Sequence, residues 1–361
     1  MCNMKQKIIC LIESLISGGA ERQLTYLATF LNNKEYDVEV WAYYPNDFYL
    51  PYLKENGVKY RYIKEAQPLM KRIPVLLKEL MKASPDVLIA YLDVSCMVAC
   101  LFKILNPKTT IITSERNTTQ VLNRKERVKF FLLRFADYVV PNSYSQGRFI
   151  SKHYPNLNKK IRVITNYIDV EKFSRKHDYE SYDMTRIIVV GRVMPQKNPL
   201  RFMDAVAILK DKGYKFNITW YGEPEEANYG KLCKEKFDSL GIADVLTFKA
   251  PDSNIVERYN ENEVFCLPST YEGFPNVICE AMSCCLPVLC SNVCDNPDII
   301  VDGKCGFFFN PEDVNSIVVA FENFFNLNVE QKKMFSNNSR ERVMEICSNE
   351  KFVNSYISLF K

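Results

Sequence analysis

Two glutamates separated by seven residues stand where a loop runs into an apolar helical pattern. In the stretch YEGFPNVICEAMSCCLPVLC (271–290), Glu272 lies in the loop and Glu280 lies about one turn into a helix that begins near Asn276. The residues around Glu280 are apolar, and a carboxylate in such surroundings is costly unless it has partners. Vicinal ribose hydroxyls suit Glu280 because a carboxylate accepts from two donors at once. Two solvated glutamates are the alternative, which the apolar surroundings disfavour.

The start of this helix adds an anion-binding element. Free backbone N–H groups at a helix N-terminus attract anions. Together with Glu272, they can meet the hydroxyls and the distal phosphate of a sugar diphosphate. The residues of this surface are Gly273, Phe274, Pro275, Asn276 and Val277.

Two cations follow another strand end, in VVGRVMPQKNP (189–199). Gly191 ends the strand, and Arg192 and Lys197 follow within one loop before a helix that opens at Pro199. Cations that converge at a strand end can hold a diphosphate and stabilise the charge it gains as a leaving group. Solvated surface charge is the alternative, and the position at a strand end favours the functional interpretation.

A glycine pair follows the first strand, in SGGAERQ (17–23). Gly18 and Gly19 let the backbone approach a ligand closely, and the helical pattern that opens at Ala20 offers free N–H groups to an anion. An ordinary strand-to-helix turn is an equally good explanation. The pair is not the G-x-G-x-x-G of nicotinamide dinucleotide sites.

Short β-branched runs alternate with helical patterns and must position these motifs. The runs in the first part are 7–12, 37–43, 58–63, 85–91, 109–114, 137–143 and 160–166. The pattern restarts at 186–191, 215–222, 244–248, 263–268 and 286–290. Strands spaced by helices indicate βα units and parallel sheets. We therefore predict an α/β protein of two doubly wound, Rossmann-like domains, with the ligand in a cleft at the carboxyl ends of the strands.

The restart also indicates the domain boundaries. We predict a first Rossmann-like domain over 1–170 and a second over 171–345, with a final helix over 346–361 that crosses back to the first domain. A chain of 361 residues with 47% apolar residues can fill two cores. No apolar run is long enough to span a membrane, and the N-terminus does not resemble a signal peptide, so we expect a cytosolic protein. The 13 cysteines are scattered without a CxxC, which favours reduced, buried thiols.

Charge is distributed unevenly along the chain. Up to Val170 there are 25 Lys and Arg against 15 Asp and Glu, and after it 22 against 28. A basic half suits an anionic surface or acceptor. Nucleic acid is a weak candidate, because no recognition-helix, zinc-ligand or aromatic RNA-binding pattern accompanies the charge.

Basic and apolar residues mix in VLNRKERVKFFLLRF (121–135). Such a helix can lie on an anionic bilayer or grip a lipid diphosphate. An amphipathic helix packed on its own sheet is the alternative. The candidate lipid contacts are Arg124, Lys125, Arg127 and Lys129, and residues 67–83 can extend the surface.

The motifs together resemble those of family 4 retaining glycosyltransferases of the GT-B architecture. The matching stretches are SGGAERQ (17–23), VITNYIDVEKF (163–173), GRVMPQKNP (191–199), YGEPEE (221–226) and PSTYEGFPNVICEAMSCCLPVL (268–289). The resemblance covers most of the chain, and the last stretch carries the family's Glu-x7-Glu signature.

The resemblance implies that the domain over 1–170 binds the acceptor and the domain over 171–345 binds the nucleotide-sugar donor, and it implies roles for the matched residues. Arg192 and Lys197 correspond to residues that bind the donor pyrophosphate, Glu280 to the ribose ligand, and Glu272 to a contact of the transferred sugar. The Gly18–Gly19 loop would lie by the phosphates. Backbone after the strand near 247–251 usually contacts the base, which implicates Lys249 and Ala250.

The chain departs from the family at one position. Many members have a histidine after the strand that matches IITSE, where this chain reads TSERNTT. Some relatives that transfer galactose-type or N-acetylated sugars are similar to the ERN sequence. Glu115, Arg116 and Asn117 are therefore candidate sugar or acceptor contacts.

The resemblance also implies a reaction. Retention of configuration is expected, with the acceptor hydroxyl attacking on the leaving-group face, and the absence of a D-x-D motif predicts a metal-independent enzyme without a cofactor. The expected donor is a UDP-hexose or UDP-N-acetylhexosamine. Relatives that extend polyprenyl-diphosphate-linked glycans carry a basic helix like that of 121–135, so we expect a lipid-linked acceptor and peripheral association with the inner face of the cell membrane.

The sequence is also compatible with two other functions. A nucleotide-sugar 2-epimerase shares the double-Rossmann frame, although it needs acid–base residues at the sugar and this chain has only two histidines. A non-catalytic nucleotide-sugar-binding or lipid-binding partner in an assembly complex is the other. Products formed without an acceptor would identify the first, and turnover with an acceptor would eliminate the second.

Overall fold

Two parallel sheets of six strands each form the framework of the chain in the computed structural model, which describes residues 5–34, 36–116, 118–119, 122–176 and 184–360. The chain divides into two units, unit 1 (Met1–Tyr167 with Glu350–Lys361) and unit 2 (Ile168–Asn349). The prediction of an α/β fold with two doubly wound domains is confirmed.

Unit 1 is built on a sheet with the order β3-β2-β1-β4-β5-β6. Its strands are β1 (Lys7–Ile12), β2 (Asp37–Ala42), β3 (Lys59–Tyr62), β4 (Val87–Tyr91), β5 (Thr110–Glu115) and β6 (Tyr138–Pro141). Its helices are α1 (Gly19–Asn33), α2 (Leu50–Glu55), α3 (Leu69–Ala83), α4 (Asp93–Leu105), α5 (Arg124–Leu133) and α6 (Tyr144–His153). The two central strands, β1 and β4, are apolar apart from Lys7, because helices cover both faces of a parallel sheet.

Unit 2 repeats this plan with the order β12-β11-β10-β7-β8-β9. Its strands are β7 (Thr185–Val190), β8 (Phe216–Tyr221), β9 (Leu246–Lys249), β10 (Val264–Leu267), β11 (Val288–Ser291) and β12 (Gly306–Phe309). Its helices are α7 (Pro199–Asp211), α8 (Ala227–Leu240), α9 (Ile255–Asn260), α10 (Asn276–Ser283), α11 (Asn296–Ile299), α12 (Val314–Phe325) and α13 (Val329–Cys347).

The predicted strand at 160–166 is wrong. This segment makes only an isolated bridge, from Ile161 to Val139. The amide of Ile164 still donates to the Pro141 carbonyl at 3.1 Å. Because Pro141 has no N–H group, it cannot donate a hydrogen bond back to the segment, and the hydrogen-bond ladder along the outer edge of β6 ends there.

The prediction missed β12, whose run of four residues is short. Gly306 is required at its start, because a Cβ there would lie 1.9 Å from the Val288 carbonyl oxygen of the neighbouring strand.

The last helix, α14 (Asn349–Ile357), packs in unit 1. Phe352, Val353 and Tyr356 are buried in the same core cluster as the central strands β1 and β4. The Tyr356 hydroxyl lies 2.9 Å from the Tyr91 hydroxyl at the end of β4. The end of the chain is therefore part of the first domain's core.

Phe352→Ala should destabilise unit 1 by about 3–5 kcal/mol, the usual cost of truncating a buried phenylalanine. The measurement is urea unfolding followed by the fluorescence of Trp41, in a Trp220→Phe background. Asn354→Ala, an exposed change in the same helix, is the control. Equal midpoints for the two variants would contradict the role of α14 in the core.

Candidate functional site

The loops that follow β7 and β10 are joined by hydrogen bonds. These strands are parallel neighbours, so their carboxyl ends meet at one edge of the sheet. The Gln196 carbonyl accepts from the Thr270 amide at 2.8 Å, and the Gln196 side chain donates to the Tyr271 carbonyl at 2.9 Å. The two sequence motifs therefore form one surface.

Lys197 and Glu272 form an ion pair on this surface, with Nζ 2.5 Å from Oε1. Their side chains are 14% and 10% exposed, so the pair is largely shielded from water. The Glu272 amide also donates to Sγ of Cys294 at 3.4 Å. The structure thus brings together two predicted residues that lie far apart in the sequence. Cys294 has a positive φ of 52°, which sequence reasoning gave no reason to expect.

Arg192 lies in the same loop, but its guanidinium is paired with Glu225. The side chain is 64% exposed. An exposed ion pair is worth little and exchanges its partner readily. Arg192 is therefore accessible to an incoming anion.

The backbone beneath this loop is closely packed. The carbonyl of Gly191 accepts from the Trp220 indole at 2.7 Å. A Cβ on Gly222 would lie 1.9 Å from that same carbonyl oxygen. Gly222, the glycine of the YGEPEE stretch, is therefore needed so that the ends of β7 and β8 can lie close to each other.

Glu280 lies within α10 and is buried in apolar surroundings, as predicted. Its Oε2 is 3.5 Å from the hydroxyl of Tyr259, a fully buried residue of α9. No pattern in the sequence around Tyr259 indicated this contact. The carboxylate of Glu280, the second acid of the signature, is thus surrounded by packed helices rather than by water.

The segment between the two acids leads directly into α10. Phe274 and Pro275 are buried, whereas Gly273, Asn276 and Val277 are partly exposed. The N-cap residue of α10 is Pro275, whose side chain makes no capping hydrogen bond. The Asn276 amide donates to the Phe274 carbonyl at 3.0 Å, so it is not the free N–H group that the sequence predicted.

Lys249 and Ala250 are exposed at and just beyond the end of β9. The Lys249 carbonyl accepts from the Gly222 amide at 2.8 Å, and Nζ lies 5.9 Å from the centroid of the Tyr221 ring. The structure therefore places these residues at the carboxyl edge of the unit 2 sheet.

Gly18 and Gly19 belong to unit 1, where Gly18 precedes α1 and Gly19 is its first residue. A Cβ on Gly18 would lie 2.1 Å from a carboxylate oxygen of Glu21. Burial raises the pKa of Glu21. The glycine therefore makes room for an acid of this chain, a neighbour that the sequence prediction did not include.

Lys129 is not placed as the sequence predicted. Its side chain is 2% exposed, and Nζ lies 2.9 Å from Glu115, 2.8 Å from Glu126 and 3.3 Å from Asp93. Although burial alone would lower it, these carboxylates raise the pKa of Lys129. A lysine enclosed by three carboxylates is unavailable to a lipid, so its assignment as a surface contact is corrected to a buried counter-ion.

Glu115 is the innermost acid of this cluster and lies at the end of β5. Burial raises its pKa, although Lys129 opposes the shift. Asp93, at the start of α4, has a lowered pKa because Lys129 and Lys125 outweigh the effect of its burial. An aspartate directly after the buried run of β4 was the signal in the sequence that could have revealed this cluster.

Arg116 is held within unit 1 by aromatic and polar partners. Its guanidinium donates to Asn166 at 2.7 Å and to the Tyr356 hydroxyl at 2.8 Å, and also to the Tyr91 hydroxyl. It also lies 4.0 Å above the Tyr91 ring. Arg116 thus joins β5 to α14. Asn117 lies outside the described residues.

The rest of the α5 surface is exposed and mixes charge with apolar area. Arg124, Lys125 and Arg127 face solvent, although Lys125 pairs with Asp93 at 3.0 Å. The exposed apolar side chains beside them are Val128, Phe131 and Phe135. The Arg134 guanidinium lies 3.8 Å above the Phe131 ring.

The twelve described cysteines are free thiols, and ten are buried. Within the described ranges, no group of three or more His, Cys, Asp or Glu side chains is arranged to hold a metal ion. Within the signature stretch, Cys279 and Cys284 pack in the core, as expected for small apolar residues, whereas Cys285 is partly exposed.

Two family models match consecutive parts of the chain. "Glycosyltransferase Family 4" matches residues 17–172, and "Glycosyl transferases group 1" matches residues 171–342. The chain therefore belongs to the glycosyltransferases that these two models together describe.

Curated relatives are similar over most of their length. One is the GalNAc-α-(1→4)-GalNAc-α-(1→3)-diNAcBac-PP-undecaprenol α-1,4-N-acetyl-D-galactosaminyltransferase of Campylobacter jejuni, 27% identical over 93% of both chains. Another is the amylovoran biosynthesis glycosyltransferase AmsD of Erwinia amylovora, 25% identical over 82% of this chain and 83% of the relative.

Solved structures share the fold at low identity. A glycosyltransferase from Rickettsia africae superposes with a TM-score of 0.86 at 16% identity, covering 99% of this chain and 98% of the other. Anabaena HepE, in complex with UDP and glucose, superposes with a TM-score of 0.80 at 17% identity, covering 98% of each chain. The GT-B fold class is thereby confirmed.

Lys129→Met should lower the stability of unit 1 by about 3–5 kcal/mol, because it leaves buried carboxylates without their counter-ion. Urea unfolding followed by Trp41 fluorescence, in the same Trp220→Phe background, measures the loss. Lys125→Met, at a 68% exposed side chain that pairs with one of the same acids, should cost at most about 1 kcal/mol. Equal losses in the two variants would contradict the buried counter-ion role.

Proposed function

We propose that this glycosyltransferase moves a hexose or N-acetylhexosamine from a UDP-sugar to a lipid-linked glycan during assembly of a bacterial surface polysaccharide. The observation that carries the proposal is the shielded Lys197–Glu272 pair beside the exposed Arg192, on the unit that also buries Glu280. The arrangement offers cations for a diphosphate and carboxylates for sugar hydroxyls on one sheet edge.

The relatives support the choice of substrates. The Campylobacter enzyme is named for transfer of N-acetylgalactosamine to an undecaprenol-diphosphate-linked glycan, and AmsD for amylovoran biosynthesis. HepE was crystallised with UDP and glucose. By analogy, the donor here is a UDP-sugar and the acceptor is a polyprenyl-diphosphate-linked glycan.

Donor binding begins with an exchange of partners. The diphosphate displaces Glu225 from Arg192 and Glu272 from Lys197, so both cations stay paired with an anion throughout. Glu272, released from Lys197, accepts hydrogen bonds from the transferred sugar. Glu280 accepts from the ribose hydroxyls, and the Val277 amide in the first turn of α10 donates to the distal phosphate.

Catalysis then depends on charge stabilisation. Arg192 and Lys197 stabilise the negative charge that grows on the leaving diphosphate, which is the role a metal ion takes in other transferases. The acceptor hydroxyl attacks from the leaving-group face, and the departing phosphate takes its proton. The proposed reaction retains the anomeric configuration and needs neither a metal ion nor a cofactor.

The acceptor implies a membrane surface. No helix among the described residues combines the length and the apolar character needed to cross a bilayer. The exposed face of α5 carries Arg124 and Arg127 beside Val128 and Phe131, a pattern suited to an anionic interface. We propose that the protein binds the cytoplasmic leaflet peripherally through this face.

Glu280→Ala should lower kcat/KM for the donor about 10- to 100-fold, since it removes a charged hydrogen-bond acceptor from the ribose. Release of UDP from a panel of UDP-sugars, with and without a glycan acceptor, is the assay. Glu341→Ala, the same change on the exposed side of α13, should leave the rate unchanged. Undiminished activity in Glu280→Ala would refute the site, and an epimer formed without acceptor would refute the reaction.

Reversing the charges of Arg124 and Arg127 to glutamate should weaken binding to vesicles of phosphatidylglycerol and phosphatidylcholine about tenfold or more, because each basic residue near an anionic surface contributes about 1 kcal/mol. Co-sedimentation measures the binding. A matched reversal of Lys34 and Lys54, which are exposed at the end of α1 and on α2, controls for net charge. Equal binding by wild type and both variants would contradict membrane binding through α5 and would leave the helix with a purely structural role.

A further inference from the structure

The helix that carries Glu280 ends in an unusual turn. At the end of α10, Cys285 adopts a left-handed conformation with φ of 60°. Its amide donates to the Met282 carbonyl at 2.9 Å, and the Leu286 amide donates to the Ala281 carbonyl at 3.0 Å. This is a Schellman turn, whose left-handed position usually holds glycine. With cysteine there, the turn is strained and needs support from outside.

The helix supplies little of that support itself. It has eight residues, no basic residue in its last turn and no side-chain cap at its start. A helix of this length depends on tertiary contacts. Its last carbonyls carry partial negative charge and favour a cation.

Arg340 of α13 supplies such a cation. Its Nη1 donates to the carbonyl of Ser283, the last residue of α10, at 2.7 Å. The same nitrogen donates to the carbonyls of Val170 at 2.7 Å and Phe173 at 3.0 Å. One guanidinium therefore joins the end of α10 to residues 168–173, the entry segment through which the chain enters unit 2.

A second set of contacts supports the same turn. The hydroxyl of Ser336, also on α13, donates to the Cys285 carbonyl at 2.5 Å. Arg175, just after the entry segment, donates to Ser336 at 2.7 Å. The ring of Phe173 lies 6.3 Å from that of Tyr259, the residue whose hydroxyl contacts Glu280. The entry segment thus meets both the end of α10 and the residue beside its acid.

We propose that Arg340 is a positioning residue for the donor site, which fixes α10, and with it Glu280, by holding the helix end against the entry segment. This inference rests on the proposed function, since it assigns Glu280 to the donor. Arg340 itself touches no substrate in this assignment. Its effect is on the affinity for the nucleotide rather than on the acceptor.

The test compares three changes on α13 in the full chain. Arg340→Met removes all three hydrogen bonds to carbonyls, whereas Arg340→Lys keeps the charge. Arg342→Met is the matched control, because Arg342 donates to the carbonyls of Asp298 and Ile299 at the end of α11. Hydrogen exchange of peptides that cover residues 276–286 reports on the helix, and calorimetric titration with UDP reports on the donor site.

Arg340→Met should speed exchange across α10 and raise the Kd for UDP about tenfold, with about threefold for Arg340→Lys and no change for Arg342→Met. The KM for a glycan acceptor should stay within about twofold in every variant. If Arg340→Met does not fold, Ser336→Ala replaces it and should raise the Kd about threefold.

The outcomes separate this inference from the proposed function. Unchanged exchange of α10, or faster exchange with unchanged affinity for UDP, would overturn the role of Arg340. A rise in Kd for Arg342→Met equal to that for Arg340→Met would also overturn it, because the effect would then be general. A wild type that binds neither UDP nor GDP would instead refute the proposed donor site, and the donor-binding role of Arg340 with it.

Discussion

The ion pair between Lys197 and Glu272 depends on one constraint, the parallel pairing of β7 with β10. Parallel neighbours bring their carboxyl ends to the same edge, so a cation from one loop and an acid from the other meet there. Shielding from water makes each charge costly without its partner. In the proposed reaction a diphosphate takes the place of the carboxylate at Lys197, and the sugar hydroxyls replace the hydrogen bond that Glu272 loses. The contact therefore stabilises the two loops and holds together the groups that the proposed reaction uses.

Unit 1 uses buried charge in a different way. Lys129 is enclosed by carboxylates from β5, α4 and α5 itself, so it attaches α5 to the sheet from the inside. With its inner face fixed, the helix presents Arg127, Val128 and Phe131 outward. The basic character of this helix thus has two parts, a structural cation within and an exposed surface outside. Only the second is suited to a lipid.

Much of the fold could be predicted from the sequence, because strands covered on both faces appear as uninterrupted apolar runs such as KIICLI. The burial of Glu280 could also be predicted, since it stands among apolar residues in the sequence. The partners of individual side chains could not be predicted from the sequence. Lys129 sits among arginines in the sequence, and its burial follows from acids that only folding brings near. The contacts of Arg116 with Tyr91 and Tyr356 likewise join elements far apart in the chain.

The proposed function requires that unit 2 binds a nucleotide sugar. Thermal unfolding of the full chain with UDP-, GDP- and ADP-sugars, and with the free sugars, tests it most directly, because a ligand that binds only the folded state raises Tm. At about 100 times its Kd, such a ligand adds about 2.7 kcal/mol. At least one UDP-sugar should raise Tm by several degrees, whereas the free sugars should not. No shift with any nucleotide sugar at millimolar concentration would contradict it.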